Sequence, residues 1–211
     1  QYKFRYNTVL HRAEYRPQGK GDYTSVDRYR INTLKRALDK EANIQTSTDN
    51  LYSIIESDFS PRINPVQDYF RALPLTKGNA DAITALADCV RVTNSEKWEE
   101  YLTKWLVAVV ANAMDDKQCR NHTCLVLTGE QGKFKTTFLD LLCPPALSDY
   151  RYTGKIYPQE KDVLSLIGQN LIINIDDQLK ALNKRDENEL KNLITCPPVS
   201  YTHLTLPTTP Y

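Results

Sequence analysis

The chain has 211 residues, 41% of them hydrophobic, and a net charge of only +1. That length suffices for a real core in one or two domains. No apolar run reaches the roughly 20 residues of a membrane span and no signal peptide is visible. Five cysteines without regular spacing predict a reducing, cytoplasmic setting rather than a disulfide framework.

The charge is unevenly placed. Residues 1–45 carry ten Lys/Arg against five Asp/Glu, a net of +5 that leaves −4 for the remainder. A basic bias of this size is compatible with a nucleic-acid contact. The chain starts at Gln1 and its only methionine is Met114, which predicts a fragment of a longer protein.

In residues 1–15, QYKFRYNTVLHRAEY, aromatic and basic residues alternate. Tyr2, Phe4 and Tyr6 share one strand face, and Lys3 and Arg5 the other. Such a strand can stack bases and hold phosphates. A half-buried strand with a solvated basic face explains the same pattern and is the preferred reading. Pro17–Asp22 reads as a loop. Val26–Ala42 reads as a helix with Ile31, Leu34 and Leu38 on its apolar side. Asp49–Ser60 is weakly helical and ends before Pro61, and Asn64-Pro65 caps a helix over Val66–Ala72 that stops at Leu73-Pro74.

Asp81–Val92 is a further helix, and Ser95 opens a longer one. There Trp98, Leu102, Trp105, Leu106 and Val109 recur at helical spacing, the stripe of a core-facing helix. Cys119, His122 and Cys124 lie close together, but their spacing matches no usual zinc ligand pair and no second pair follows.

Leu125-Val126-Leu127 has the character of a buried parallel strand. Gly129-Glu130-Gln131-Gly132 then makes a turn through Lys133 and Phe134. Lys135-Thr136-Thr137 opens a helix carrying Phe138, Leu139, Leu141 and Leu142. Strand, glycine turn, Lys-Thr and helix form the order that binds a nucleoside triphosphate. Backbone N–H groups and the helix dipole face the phosphates, a lysine reaches the terminal ones and a hydroxyl holds Mg²⁺. Against GxxxxGK[ST], Phe134 stands where the second glycine belongs. A phenylalanine there predicts ordinary right-handed backbone, or a pocket for its ring.

Cys143-Pro144-Pro145 ends that helix. Tyr150–Tyr157 reads as a strand and Gln159–Ile167 as a short helix. Leu171–Ile175 is a second apolar strand ending in Asp176-Asp177, the place where a carboxylate holds Mg²⁺ and a neighbour orients the attacking water. Asn183–Thr195 is the last helix, with Leu190, Leu193 and Ile194 apolar. The alternation predicts a three-layer α/β sheet. After Pro198 the stretch VSYTHLTLPTTPY lacks any charge and reads as an edge strand or a foreign tail. The expected division is a basic strand–helix region over 1–60, a helical lead-in over 61–120, an incomplete phosphate-loop parallel-sheet core over 121–198, and the tail 199–211.

With these blocks in place the chain resembles the virulence-associated protein E family, ATPase domains of phages and mobile elements related to superfamily-three helicases. Asn64-Pro65, Tyr69-Phe70, Leu73-Pro74 and Lys104-Trp105-Leu106 resemble the family's helical lead-in. Residues 125–142 resemble its phosphate loop, Gln169–Gln178 its acidic strand, and Glu189–Leu193 the helix after it. The similarity runs over roughly residues 1–198. It implies ATP hydrolysis with Mg²⁺, coupled to DNA replication, in a homo-oligomeric ring and alongside a primase. Residues 129–137 would cradle the phosphates, with Lys135 contacting them and Thr136 and Asp176 serving the metal. Asp177 would stand in the place of a catalytic Glu, so Asp176 and Asp177 are the catalytic candidates. The family's later sensor strand and arginine finger are absent, so slow turnover is expected. A nucleotide-binding DNA or scaffold module without turnover is the alternative. A small-molecule kinase is a third class, for which no acceptor motif is visible.

Overall fold

The alternating aromatic and basic residues at the start do form a strand, and it turns back on itself. β1 (Tyr2–Asn7) pairs antiparallel with β2 (Arg12–Pro17), with Phe4 opposite Tyr15, Tyr6 opposite Ala13 and Asn7 opposite Arg12. Asn7 builds the turn, its Oδ1 accepting the Val9 and Leu10 N–H groups at 3.0 and 3.1 Å, the Asx-turn chemistry that asparagine favours. The computed structural model describes residues 2–19, 21–74, 81–115, 123–175 and 184–195. The chain divides into two compact units, Gln1–Ala72 and Leu73–Tyr211.

In the first unit β3 (Thr24–Ser25) joins β2 antiparallel and β4 (Arg62–Ile63) joins β1 parallel, giving the sheet order β3-β2-β1-β4. α1 (Arg28–Ala42) is capped by Asp27, whose Oδ1 accepts the Arg30 N–H at 2.8 Å. It ends at Asn43 in the left-handed region, with the Ile44 N–H returning to the Leu38 carbonyl. α2 (Thr48–Ile55) and α3 (Pro65–Ala72) follow, the latter capped by Asn64 as predicted, its Oδ1 accepting the Gln67 N–H at 3.1 Å. The strand period of two puts Phe4, Tyr6 and Ala13 on one sheet face, where they meet Ile31, Leu34 and Leu38 of α1 and Leu51 and Ile55 of α2. Ile31 is wholly buried, a transfer worth roughly 1.5–3 kcal/mol.

The opposite face carries a buried carboxylate. Glu14 is 2% exposed. Its oxygens accept from Arg5 Nε at 2.8 Å, Asn7 Nδ2 at 2.9 Å and Arg12 Nε at 3.2 Å. A buried charge is tolerated only when paired and hydrogen-bonded, and Glu14 is both.

The second unit begins with α4 (Asp81–Asp88) and α5 (Ser95–Met114), the latter capped by Asn94. Trp98 and Leu102 bury against Ala87, and Trp98 Nε1 donates to the Ala87 carbonyl at 3.0 Å. Phe138, Leu125 and Leu127 complete this core. α6 (Lys135–Leu141), a 3₁₀ turn (Pro145–Tyr150), β5 (Arg151–Gly154), α7 (Val163–Gln169), β6 (Ile172–Ile175) and α8 (Lys184–Thr195) follow. β5 and β6 pair parallel, Arg151 opposite Ile172 through Gly154 opposite Ile175.

The fold is mixed α/β with small sheets, one of them holding a parallel pair alone. One expectation is corrected. Leu125–Leu127 belongs to no sheet among the described residues. Leu125 and Leu127 are half-buried on the α5 core while Val126 is 53% exposed. Three apolar residues covered on one side satisfy the same pattern as a strand covered on both. Among the described residues of this unit the sheet is a two-stranded parallel pair.

Candidate nucleotide-binding loop

The turn from Gly129 to Phe134 delivers the chain into α6. Gly129 and Gly132 have φ of 153° and 80°, and a Cβ on either would meet open space. Backbone conformation, not crowding, therefore calls for glycine at both. Phe134 caps the helix at φ 54°, ψ 25°, and its ring is 78% exposed. This overturns both expectations for it, since the backbone is left-handed and the ring has no pocket. The helix starts at the next residue, with the Phe138 N–H already bonded to the Phe134 carbonyl at 2.9 Å. The reversal that feeds it demands the conformation glycine would supply. A side chain in that region costs roughly 1–2 kcal/mol, and strain of this kind gathers at functional sites.

Lys135 folds back over the loop. Its Nζ donates to the carbonyls of Glu130 at 2.6 Å and Gly129 at 3.2 Å. Lys133 meets Glu130 at 3.5 Å, both side chains well exposed, a pair of little energetic weight. Gln131 and Thr137 are exposed, and Thr136 is half-buried in the first helical turn.

β6 reaches this helix through one polar side chain. Asn174, 5% exposed, donates from Nδ2 to Asp140 Oδ1 at 3.0 Å and, at 3.4 Å, to the Thr136 carbonyl. Thr153 of β5 donates to the same Asp140 oxygen at 2.7 Å, and Arg151 donates to the Asp140 carbonyl at 2.8 Å. Both strands of the parallel pair are thus tied to α6, and the carboxyl end of β6 lies against the residues that open it. Partial burial opposes the charged form of Asp140. The hydrogen bonds from Asn174 and Thr153, with the charge of Arg151, outweigh that and hold its carboxyl below the usual range.

Neither Asp140 nor Asn174 was singled out in the sequence. The signal was present, because an asparagine inside the apolar run Leu171–Ile175 must find hydrogen-bond partners when buried. Asp176 and Asp177 lie outside the described residues, immediately after β6, and so do Cys119 and His122. Cys124 is exposed. Among the described residues no group of three or more His, Cys, Asp or Glu could hold a metal ion, and no helix is long and apolar enough to cross a membrane.

A family model, the virulence-associated protein E-like domain, matches residues 75–203. The chain belongs to this family. The virulence-associated protein E-like match begins close to the boundary between the two units. It takes in the loop, α6, both parallel strands and Asp176-Asp177, and runs past Pro198. The first unit lies outside it. No curated protein matches the chain significantly.

Proposed function

We propose that residues 73–211 bind ATP with Mg²⁺ at the 129–137 loop and hydrolyse it in the DNA replication of a phage or mobile element. The observation that supports this most is the loop itself. Lys135 lies over the carbonyls of Gly129 and Glu130, and β6 is fastened through Asn174 to Thr136. In this reading the ammonium exchanges those carbonyls for phosphate oxygens. The backbone of Gly129, Glu130, Gln131, Gly132, Lys133 and Phe134 surrounds the phosphates, and Thr136 and Thr137 supply hydroxyls. Bound Mg²⁺ neutralises phosphate charge, with Thr136 and Asp176 as its protein partners, while Asp177 positions water. DNA, a homo-oligomeric ring and a primase are the partners this function implies.

A second reading, a nucleotide-binding DNA or scaffold module without turnover, draws on Asp177. Aspartate is one C–C bond, about 1.5 Å, shorter than the glutamate usual at such a position, and a misplacement near 1 Å can cost about a hundredfold in rate. Phosphate release from MgATP, with and without single-stranded DNA, separates the two. Hydrolysis predicts a slow release that DNA raises and that Lys135→Ala abolishes. Release from the parent no faster than from Lys135→Ala, with MgATP bound, rejects hydrolysis in favour of binding alone.

A further inference from the structure

The first unit, outside the family match, has a cleft of about 180 Å³ lined by Tyr2, Tyr15, Pro17, Arg30, Thr33 and Leu34. The Tyr2 ring, 45% exposed, meets Tyr15 edge-on at 5.8 Å. Arg30 is exposed at the rim, its guanidinium 5.7 Å from the centre of the Tyr15 ring and 5.5 Å from that of Tyr29. Tyr29 is itself 70% exposed. Among the described residues no carboxylate lines the cleft. Asp27, next to it in sequence, is engaged by the Arg30 N–H as the cap of α1, and Glu14 is enclosed by Arg5, Arg12 and Asn7. On the other face of the same strands Arg5 and Arg16 stack on Tyr23 at 3.7 and 4.6 Å.

We propose that this cleft binds single-stranded nucleic acid, a base stacking on Tyr2 and the backbone phosphate meeting Arg30. Exposed aromatic faces beside arginines are what sequence-tolerant strand binding uses. The volume argues against a metabolite, whose sites run to roughly 300–1,000 Å³. It suits one splayed base of a polymer, and a duplex keeps its bases stacked and out of reach. The +5 charge of residues 1–45 complements the phosphates. The inference deepens the DNA half of the proposed function and needs no nucleotide at the loop.

The test is fluorescence anisotropy of labelled oligothymidine and oligouridine with the whole chain over a salt series, and MgATP titrations of the same proteins. Tyr2→Ala is expected to weaken oligonucleotide binding about five- to a hundredfold, while Tyr2→Phe preserves it. Arg30→Gln is expected to lower the salt slope by about 0.7. Lys161→Gln, on the second unit, is expected to change neither, and MgATP affinity stays constant throughout. No binding by the parent, equal binding of duplex, or parent-like binding by both Tyr2→Ala and Arg30→Gln overturns the inference. Oligonucleotide binding that responds to these variants in a chain that fails to bind MgATP upholds it and rejects the ATP reading instead.

Discussion

Replacing Phe134 tests whether the loop holds its left-handed turn at a cost. At φ 54° the Cβ of phenylalanine costs roughly 1–2 kcal/mol, which glycine avoids. Glycine forfeits about 0.5–1 kcal/mol through its freer unfolded chain. A ring 78% exposed buries about a fifth of what full burial provides, so its loss costs about 0.3–0.6 kcal/mol. These nearly cancel, and Phe134→Gly is expected within about 1 kcal/mol of the parent. Phe134→Val keeps the strain and adds a β-branched side chain, disfavoured in this region, so it should fall clearly below both. Trp98 and Trp105 both belong to the second unit, and Phe138 of α6 contacts Trp98 at 6.2 Å, so tryptophan fluorescence in urea reports the relevant unfolding. A Phe134→Gly loss well beyond 1 kcal/mol, or a valine variant as stable as the glycine one, would refute the strain argument.

Three further outcomes are expected. Glu14→Ala leaves Arg5, Arg12 and Asn7 without their shared acceptor; breaking a buried pair costs about 3–5 kcal/mol, and about 3 is expected because the two arginine side chains are 23% and 40% exposed. Far-UV circular dichroism should show the loss with the tryptophan-reported midpoint moving less, whereas an unchanged dichroism midpoint would contradict the pairing. The lowered Asp140 pKa gives stability that is present above the ordinary aspartate value of about 3.9 and is lost as pH falls through the lower folded value; acid titration of the second unit should show this loss, and Asp140→Asn should remove that part of the pH dependence. Burial pushes the Cys143 thiol up, against the nearby charge of Arg151, and its Sγ donates to the Leu147 carbonyl, so peptide-mapped alkylation should modify exposed Cys89 well before Cys143; equal rates would count against the burial.

Caps and helical stripes were legible because their chemistry is local. Asn64-Pro65, the Ile31–Leu38 stripe and the core face of Trp98 and Leu102 each follow from spacing alone. The alternation of Tyr2, Phe4 and Tyr6 gave a strand, but its return as a hairpin rested on Asn7, whose side chain caps a turn without a glycine. Leu125–Leu127 is not legible as a loop, because an apolar run packed on one side against a helical core has the composition of a sheet strand. At Phe134 the helix start behind it, and not the identity of the residue, sets the backbone conformation. Asp140 and Asn174 come from segments far apart in the sequence, and only the pairing of β5 with β6 against α6 brings them together.

The most direct measurement is titration calorimetry of MgATP into the parent chain and Lys135→Ala. Lys135 lies over the Gly129 and Glu130 carbonyls, and a lost charge-assisted contact is worth about 1.5–3 kcal/mol. The variant should therefore bind about ten- to a hundredfold more weakly. Equal affinities for variant and parent, or no MgATP binding by the folded parent, would contradict the assignment of this loop to nucleotide phosphates.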